Sequence, residues 1–167
     1  TRLISIMYVN NELGTINPIG DIARISHEKG ILFHSDAVQA LGKIPLDVTE
    51  IQADFLSMSA HKLYGPKGTG ALFIRKGNTL EPLIYGGGQE ANLRASTENI
   101  AGIGGFGMGV ELATKHLEKN SQYITQLENH FISHLNEMKI DYIINGKHRV
   151  PGVLNITFPN IDAQSLV

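Results

Sequence analysis

Residues 54–76 read DFLSMSAHKLYGPKGTGALFIRK. Two short apolar runs, DFLSMS (54–59) and GALFIRK (70–76), enclose a polar turn carrying Lys62 and the closely spaced glycines Gly65, Gly68 and Gly70. Apolar runs closed by Gly and Pro are strand signals, so the stretch predicts strand, loop, strand. Upstream, LISIMYV (3–9) and ILFHSD (31–36) are two further strand-like runs. Between them, PIGDIARISHEKG sets Ile19, Ile22, Ala23 and Ile25 at helical spacing, with Pro18 near the start and Gly30 as the stop. Strands alternating with helical segments predict an α/β unit of parallel strands crossed over by helices. AVQALG (37–42) reads as a short helical turn and GGGQE (86–90) as a loop.

From Thr97 the period becomes helical. Ile100, Ile103, Gly107, Val110 and Thr114 recur at threes and fours, and Ile124, Leu127, Phe131, Leu135 and Met138 continue past a break predicted at residues 119–121. The first of these segments carries GIGGFGMG (102–109), and each interior glycine costs about 1 kcal/mol relative to alanine. Close packing of another backbone against it is the expected compensation. YIIN (142–145) and VLNITF (153–158) read as strands of a small α+β unit. The expected organisation is residues 1–115 as part of a large domain and 116–167 as a linking helix with the start of a small C-terminal domain.

The chain has 167 residues, enough for one domain with a sizeable core. With 42% hydrophobic and 18% charged residues, it falls in neither the disordered nor the membrane-spanning class. A net charge of −2 without blocks of like charge gives no sign of a nucleic-acid or membrane-surface partner. Cysteine is absent, so this chain carries no disulfide, thiolate metal site or thiol nucleophile of its own; a reducing cytoplasm is the default location. Thr1 in place of a Met start, and a final AQSLV that reads as the first turn of a helix, lead to the expectation of a piece of a longer chain.

In open α/β sheets, ligands gather at the carboxyl ends of the strands. Four polar clusters fall there: Asn10-Asn11-Glu12, His34-Ser35-Asp36, Ser57 to Lys62, and the glycine loop. Each has a plain alternative. Asp36 could cap the turn after it, Asn11 could serve a turn, His61 could be a solvated loop residue, and Lys62 could be a surface charge, a phosphate ligand or a nucleophile. GPKGTG is not a nucleotide-phosphate loop, because no G-x-x-x-x-G-K-[ST] is present; its glycines can instead let the chain turn closely past the lysine. Pyridoxal phosphate chemistry would use a lysine for the aldehyde, a carboxylate for the pyridine nitrogen, a partner for the ring hydroxyl, and hydroxyl or imidazole groups for the phosphate. Asp36, Gln39, Ser59, His61 and Lys62 offer these in order. His130 and His134, four apart on one helix, have metal-ligand spacing but no third ligand; they are read as a solvated or interfacial pair, and no metal site is expected.

MYVNNELGTINPI, FHSDAVQALGKIPLDV, SMSAHKLYGPKGTGALFIRKG and YGGGQEANLRASTENIAGI together resemble the NifS/IscS-type cysteine desulfurases of the class V aminotransferase group. The resemblance spans essentially the whole chain, and its most specific part is AHKxYGPKGxGALxxR. It implies the fold type I of pyridoxal-phosphate-dependent transferases, with a mainly parallel sheet and flanking helices. Lys62 would bond the cofactor aldehyde and move the Cα proton, Asp36 would pair with the pyridine nitrogen, and Gln39 would hydrogen-bond the phenolic oxygen. Ser59 and His61 would hold the phosphate, Asn11 would lie by the ring hydroxyl and orient substrate, and Thr97 would reach the phosphate of a neighbouring protomer. That last role implies a homodimer. The implied reaction converts L-cysteine to L-alanine and hands sulfur, as a persulfide, to an acceptor protein such as an iron–sulfur scaffold.

The persulfide cysteine and the substrate-carboxylate arginine of the resembled family lie beyond this chain, so it is expected to be inactive alone. Departures also occur within it, where ANLRAST stands for the more usual ERGLRSGT. Other class V enzymes, such as a selenocysteine lyase or a small-substrate aminotransferase, and a non-catalytic relative of the fold stay open as alternatives.

Overall fold

The structure, a computed structural model, describes residues 1–166. Strands β1 (Leu3–Met7), β2 (Leu32–Asp36), β3 (Phe55–Ser59) and β4 (Gly70–Ile74) form one sheet in sequence order. The β1–β2 and β2–β3 pairs are parallel, but β4 runs antiparallel to β3, with Ser59 opposite Gly70 and Phe55 opposite Ile74. The expectation of parallel strands therefore fails at β4. A strand that returns through the ten residues between Ser59 and Gly70, too few for a crossover helix, can pair beside its predecessor only antiparallel.

Helix α1 (Ile19–Glu28) covers one face of the sheet. Its buried residues Ile19, Ala23 and Ser26 are the 3–4-spaced stripe, and Asp21 in the first turn and His27 in the last suit the helix dipole. It ends where Gly30 takes φ +67°, the left-handed turn that favours glycine. Ile4, Ile6, Phe33, Leu56 and Phe73 meet this helix from the sheet, and Phe33 and Leu56 are fully buried. Truncating either to alanine would cost about 3–5 kcal/mol through lost burial and a residual cavity. Helix α2 (Val48–Ile51) is a single turn capped by Asp47, whose carboxylate accepts from Thr49 N–H.

Helices α3 (Ile100–Lys115) and α4 (Leu117–Glu137) meet at His116, which caps both. The break thus lies nearer α3 than residues 119–121, which instead occupy the first turn of α4, where polar residues are well tolerated. The glycine-rich face of α3 packs as expected. Gly109 lies under the Leu63 carbonyl, Gly105 against the Pro66 ring and Gly102 against Thr69. The glycines therefore seat the segment that carries Lys62, over a small second core of Ala60, Leu63 and Phe106.

Strands β5 (Ile143–Asn145) and β6 (Asn155–Thr157) form a separate antiparallel pair. Between them the chain returns to the loop after β1: Ile16 N–H donates to the His148 carbonyl, Val150 N–H to the Gly14 carbonyl, and Val150 enters the main core. The final AQSL forms a 3-10 turn (Ala163–Leu166); Val167 lies outside the described residues. No described helix is long and apolar enough to cross a membrane.

Candidate functional site

The carboxyl ends of β1, β2 and β3 and the amino end of β4 share one edge of the sheet, and the sequence puts its polar clusters there. Asp36 is the last residue of β2, paired in register with Met7 and Ser57. One carboxylate oxygen accepts from Val38 N–H at 2.9 Å, so the capping role is real. The other oxygen has no protein partner among the described residues. Asp36 thus serves the turn and still offers a charge.

The turn after Asp36 is closed by bonds to the Ala37 and Ala40 carbonyls and ends at Gly42, with φ +73°. A Cβ at Gly42 would lie 2.5 Å from a Leu63 methyl and 2.8 Å from the Ala113 methyl. The turn bearing Gln39, the Lys62 segment and helix α3 therefore interlock at a point that only glycine fits. Gln39 Oε1 accepts from Lys43 Nζ one turn later.

The chain leaves β3 at Ser59 and makes a 3-10 turn over Ala60–Leu63. Ala60 and Leu63 are buried, which turns His61 and Lys62 outward. Ser59 Oγ and His61 Nδ1 are hydrogen-bonded at 2.7 Å, forming one hydroxyl–imidazole pair at the end of β3. Lys62 has no carboxylate within ion-pair distance among the described residues. Tyr64 closes the turn in the left-handed region at φ 59°, and Gly65 follows with its Cα close to the Ala60 carbonyl. Lys62 is thus an exposed amine on a buried, glycine-seated turn.

Asn11 is exposed in the turn after β1, and the turn itself is made by its neighbour: Asn10 Oδ1 accepts from Glu12 and Leu13 N–H at 2.9 and 2.8 Å. Asn11 is therefore not spent on the turn. Thr97 stands apart, in the exposed loop before α3, and no hydrogen bond joins it to the other candidates. An open depression of about 590 Å³ bordered by Tyr8, Pro18, Arg24 and Glu50 contains none of the candidate residues.

Three polar arrangements escaped the sequence reading. Lys43 holds Gln39, and it was legible in principle as a residue four positions on in a helical turn. His34, on the same face as Asp36, bridges Ser5 (2.7 Å) and Ser57 (2.8 Å) across three strands. Asp54, 5% exposed, accepts from Phe33 N–H, His27 Nε2 and Asn78 Nδ2 at 2.8–2.9 Å. Burial pulls the Asp54 pKa upward, but these hydrogen bonds and the neighbouring His27 outweigh it and hold the carboxyl below its ordinary value. Lys43 titrates below the usual lysine range, because of its burial first and the nearby Lys62 charge second. The His130 and His134 rings meet edge-on at 4.3 Å, with His134 Nδ1 donating to the His130 carbonyl.

The donor set fits pyridoxal phosphate: a carboxylate with a free oxygen, an amide with free N–H, a hydroxyl–imidazole pair and an unpaired amine share one sheet edge. Comparison with known proteins points the same way. The family model described as aminotransferase class-V matches residues 1–167. A curated relative named cysteine desulfurase IscS, from Dictyoglomus turgidum, is 48% identical over all of this chain and 43% of its own length. A solved structure titled NIFS-like protein superposes with a TM-score of 0.93 at 42% identity, covering 99% of this chain and 46% of its own. Another, titled SspA in complex with cysteine, gives a TM-score of 0.80 at 41% identity, covering 95% and 44%. The chain thus spans less than half the length of the relatives it matches.

Proposed function

The chain belongs to the aminotransferase class-V family, and from that premise we propose that it is the cofactor-binding part of a pyridoxal-phosphate-dependent cysteine desulfurase. The whole protein would take sulfur from L-cysteine, leave L-alanine and pass the sulfur, as a persulfide, to an acceptor protein in the cytoplasm. One observation carries the reading: Lys62, without a carboxylate partner among the described residues, and Asp36, with one carboxylate oxygen free of them, stand at neighbouring strand ends of one sheet edge. The relatives' names support the reaction class, and the relative solved with cysteine supports the substrate.

Each residue has a part that its surroundings allow. When bound, pyridoxal phosphate supplies an electron sink for charge developing at the substrate Cα. Lys62 Nζ is free to take up the cofactor aldehyde and to hold or release a proton beside the Cα. Asp36 offers its free oxygen to a protonated ring nitrogen, and an ion pair there keeps that proton in place. The Ser59–His61 pair offers a phosphate the proton that its internal hydrogen bond leaves free, that of the imidazole Nε2 when the hydroxyl donates to Nδ1. Gln39 serves the ring oxygen, and Asn11, spared from its turn, lies on the substrate side. The sulfur-bearing thiol must come from outside these residues, because the chain has no cysteine. The 167-residue piece alone should therefore form no alanine.

The same reading assigns residues 1–115 to the large domain and 116–167 to a linking helix with the start of a small domain. It makes the protein a homodimer in which Thr97 donates to the phosphate held by its partner. Two features support that dimer. Leu83 and Tyr85 are 94% and 77% exposed, and Glu90, Ala91 and Asn92 are three consecutive residues at positive φ. Left-handed residues cost about 1–2 kcal/mol each, which a second surface packed on the loop would offset.

The test is alanine formation from L-cysteine by the full-length protein. Turnover that is lost in Lys62→Ala, with the fold retained, supports the function. A protein that binds the cofactor but leaves cysteine unchanged contradicts it.

A further inference from the structure

Lys43 is half-buried, and no carboxylate lies within ion-pair distance of it among the described residues. Its ammonium instead donates to Gln39 Oε1. A half-buried ammonium held by a neutral amide in place of a counterion gives up part of its hydration, a cost that a positioning role would offset. We propose that Lys43 is a positioning residue: it fixes the Gln39 side-chain amide so that Gln39 can only donate to whatever occupies the site. The inference rests on the pyridoxal phosphate reading above and assigns a role that reading left open.

A glutamine amide presents one accepting oxygen and two donating N–H groups. With Oε1 held by Lys43, the NH2 group is what remains, and it makes no hydrogen bond to the described residues. The lock is mechanical as well as polar. Gly42, between Gln39 and Lys43, is pinned against Leu63 and Ala113, so the turn cannot shift without moving the Lys62 segment. Lys43 directly follows Gly42, which packs against Leu63, the neighbour of Lys62, and this places it at the edge of the site. A donor-only Gln39 favours a ring oxygen in its anionic form. Without Lys43, the amide can rotate and accept from a neutral hydroxyl, and the preference disappears.

The full-length protein loaded with pyridoxal phosphate tests this by its absorption at neutral pH. The ring oxygen's ionised form absorbs in the visible and its neutral form in the near-ultraviolet. Lys43→Met should lower the ratio of visible to near-ultraviolet absorption about tenfold, the effect of one lost hydrogen bond to a charged group. Lys43→Arg, which keeps a donor, should restore most of the ratio. In a Gln39→Leu background, Lys43→Met should add little, because the two side chains act as one unit. If Lys43→Met does not fold, Lys43→Ala, which also lacks a donor, is read the same way. A yellow wild-type protein whose ratio is unchanged by Lys43→Met overturns the inference, as does an undiminished effect in the Gln39→Leu background. A colourless wild-type protein, after incubation with the cofactor, overturns the underlying reading and the inference with it.

Discussion

The turn that carries Lys62 and the loop that carries Thr97 follow one another in the chain, and they are held in opposite ways. The Lys62 turn rests on buried Ala60 and Leu63, beneath the glycine face of α3 and against Gly42. The loop over residues 80–99 is held mainly by bonds to itself: Asn92 N–H to the Gly88 carbonyl, Leu93 N–H to the Glu90 carbonyl, Ser96 N–H to Gln89 Oε1. Its one buried anchor is Ala95. A side chain that must meet a cofactor within its own protomer needs a rigid mount. One that is to meet a partner's cofactor can take its rigidity from the partner. The contrast turns the proposed roles of Lys62 and Thr97 into a difference in packing that can be probed separately.

The largest effect should come from Gly42→Val, which attacks the mount. A β-branched residue at φ +73° is strained, and its Cβ would collide with Leu63 and Ala113. Together these should cost about 2–5 kcal/mol, read as a lower denaturant midpoint, with weaker cofactor binding. A fully stable Gly42→Val protein would break the comparison on its rigid side.

Asp54 probes the opposite end of β3, where its carboxylate ties α1, β2 and the segment after β4 together. Its pKa is depressed in the folded protein, so its stabilisation is complete above the unfolded value of about 3.9 and is lost as pH falls through the folded value. Asp54→Asn should cost about 1–3 kcal/mol near neutral pH and flatten the loss of stability in acid. Equal acid sensitivity in the two proteins would remove Asp54 from the account.

The smallest effect on protomer stability should come from Leu83→Ser, within about 0.5 kcal/mol of the parent, because a fully exposed side chain has nothing to lose. On the dimer reading it should nevertheless weaken association, measured by sedimentation at falling concentration. A destabilised protomer with unchanged association would reverse the contrast between the two regions.

The rigid half of this picture was largely legible in sequence and the rest was not, for physical reasons. Apolar runs and 3–4 spacing mark β1, α1, β2, β3 and α3 because each buries one face. Strand direction leaves no trace in GALFIRK itself; the signal for the reversal at β4 was the connection after DFLSMS, too short for a crossover helix. Helix α2 is one turn long, too short for any period, and its signal was only the Asp47–Thr49 cap. Polar Lys119, Asn120 and Ser121 look like a break but sit in a helix start, and the true junction falls on His116. In the site, chemistry singled out Asp36, Gln39, Ser59, His61 and Lys62 by residue type and order. Contacts between side chains distant in sequence, such as His27 with Asp54 and Ser5 with His34 and Ser57, depend on strand register and were beyond reach.

The central claim is that the turn at 57–70 exists to present Lys62 to a cofactor aldehyde. Borohydride reduction of the full-length protein after incubation with pyridoxal phosphate, followed by peptide mapping, tests it most directly. The account predicts one stable adduct, on Lys62, absent from a folded Lys62→Ala protein. An adduct on Lys43 or Lys67 instead, or none at all, would contradict it.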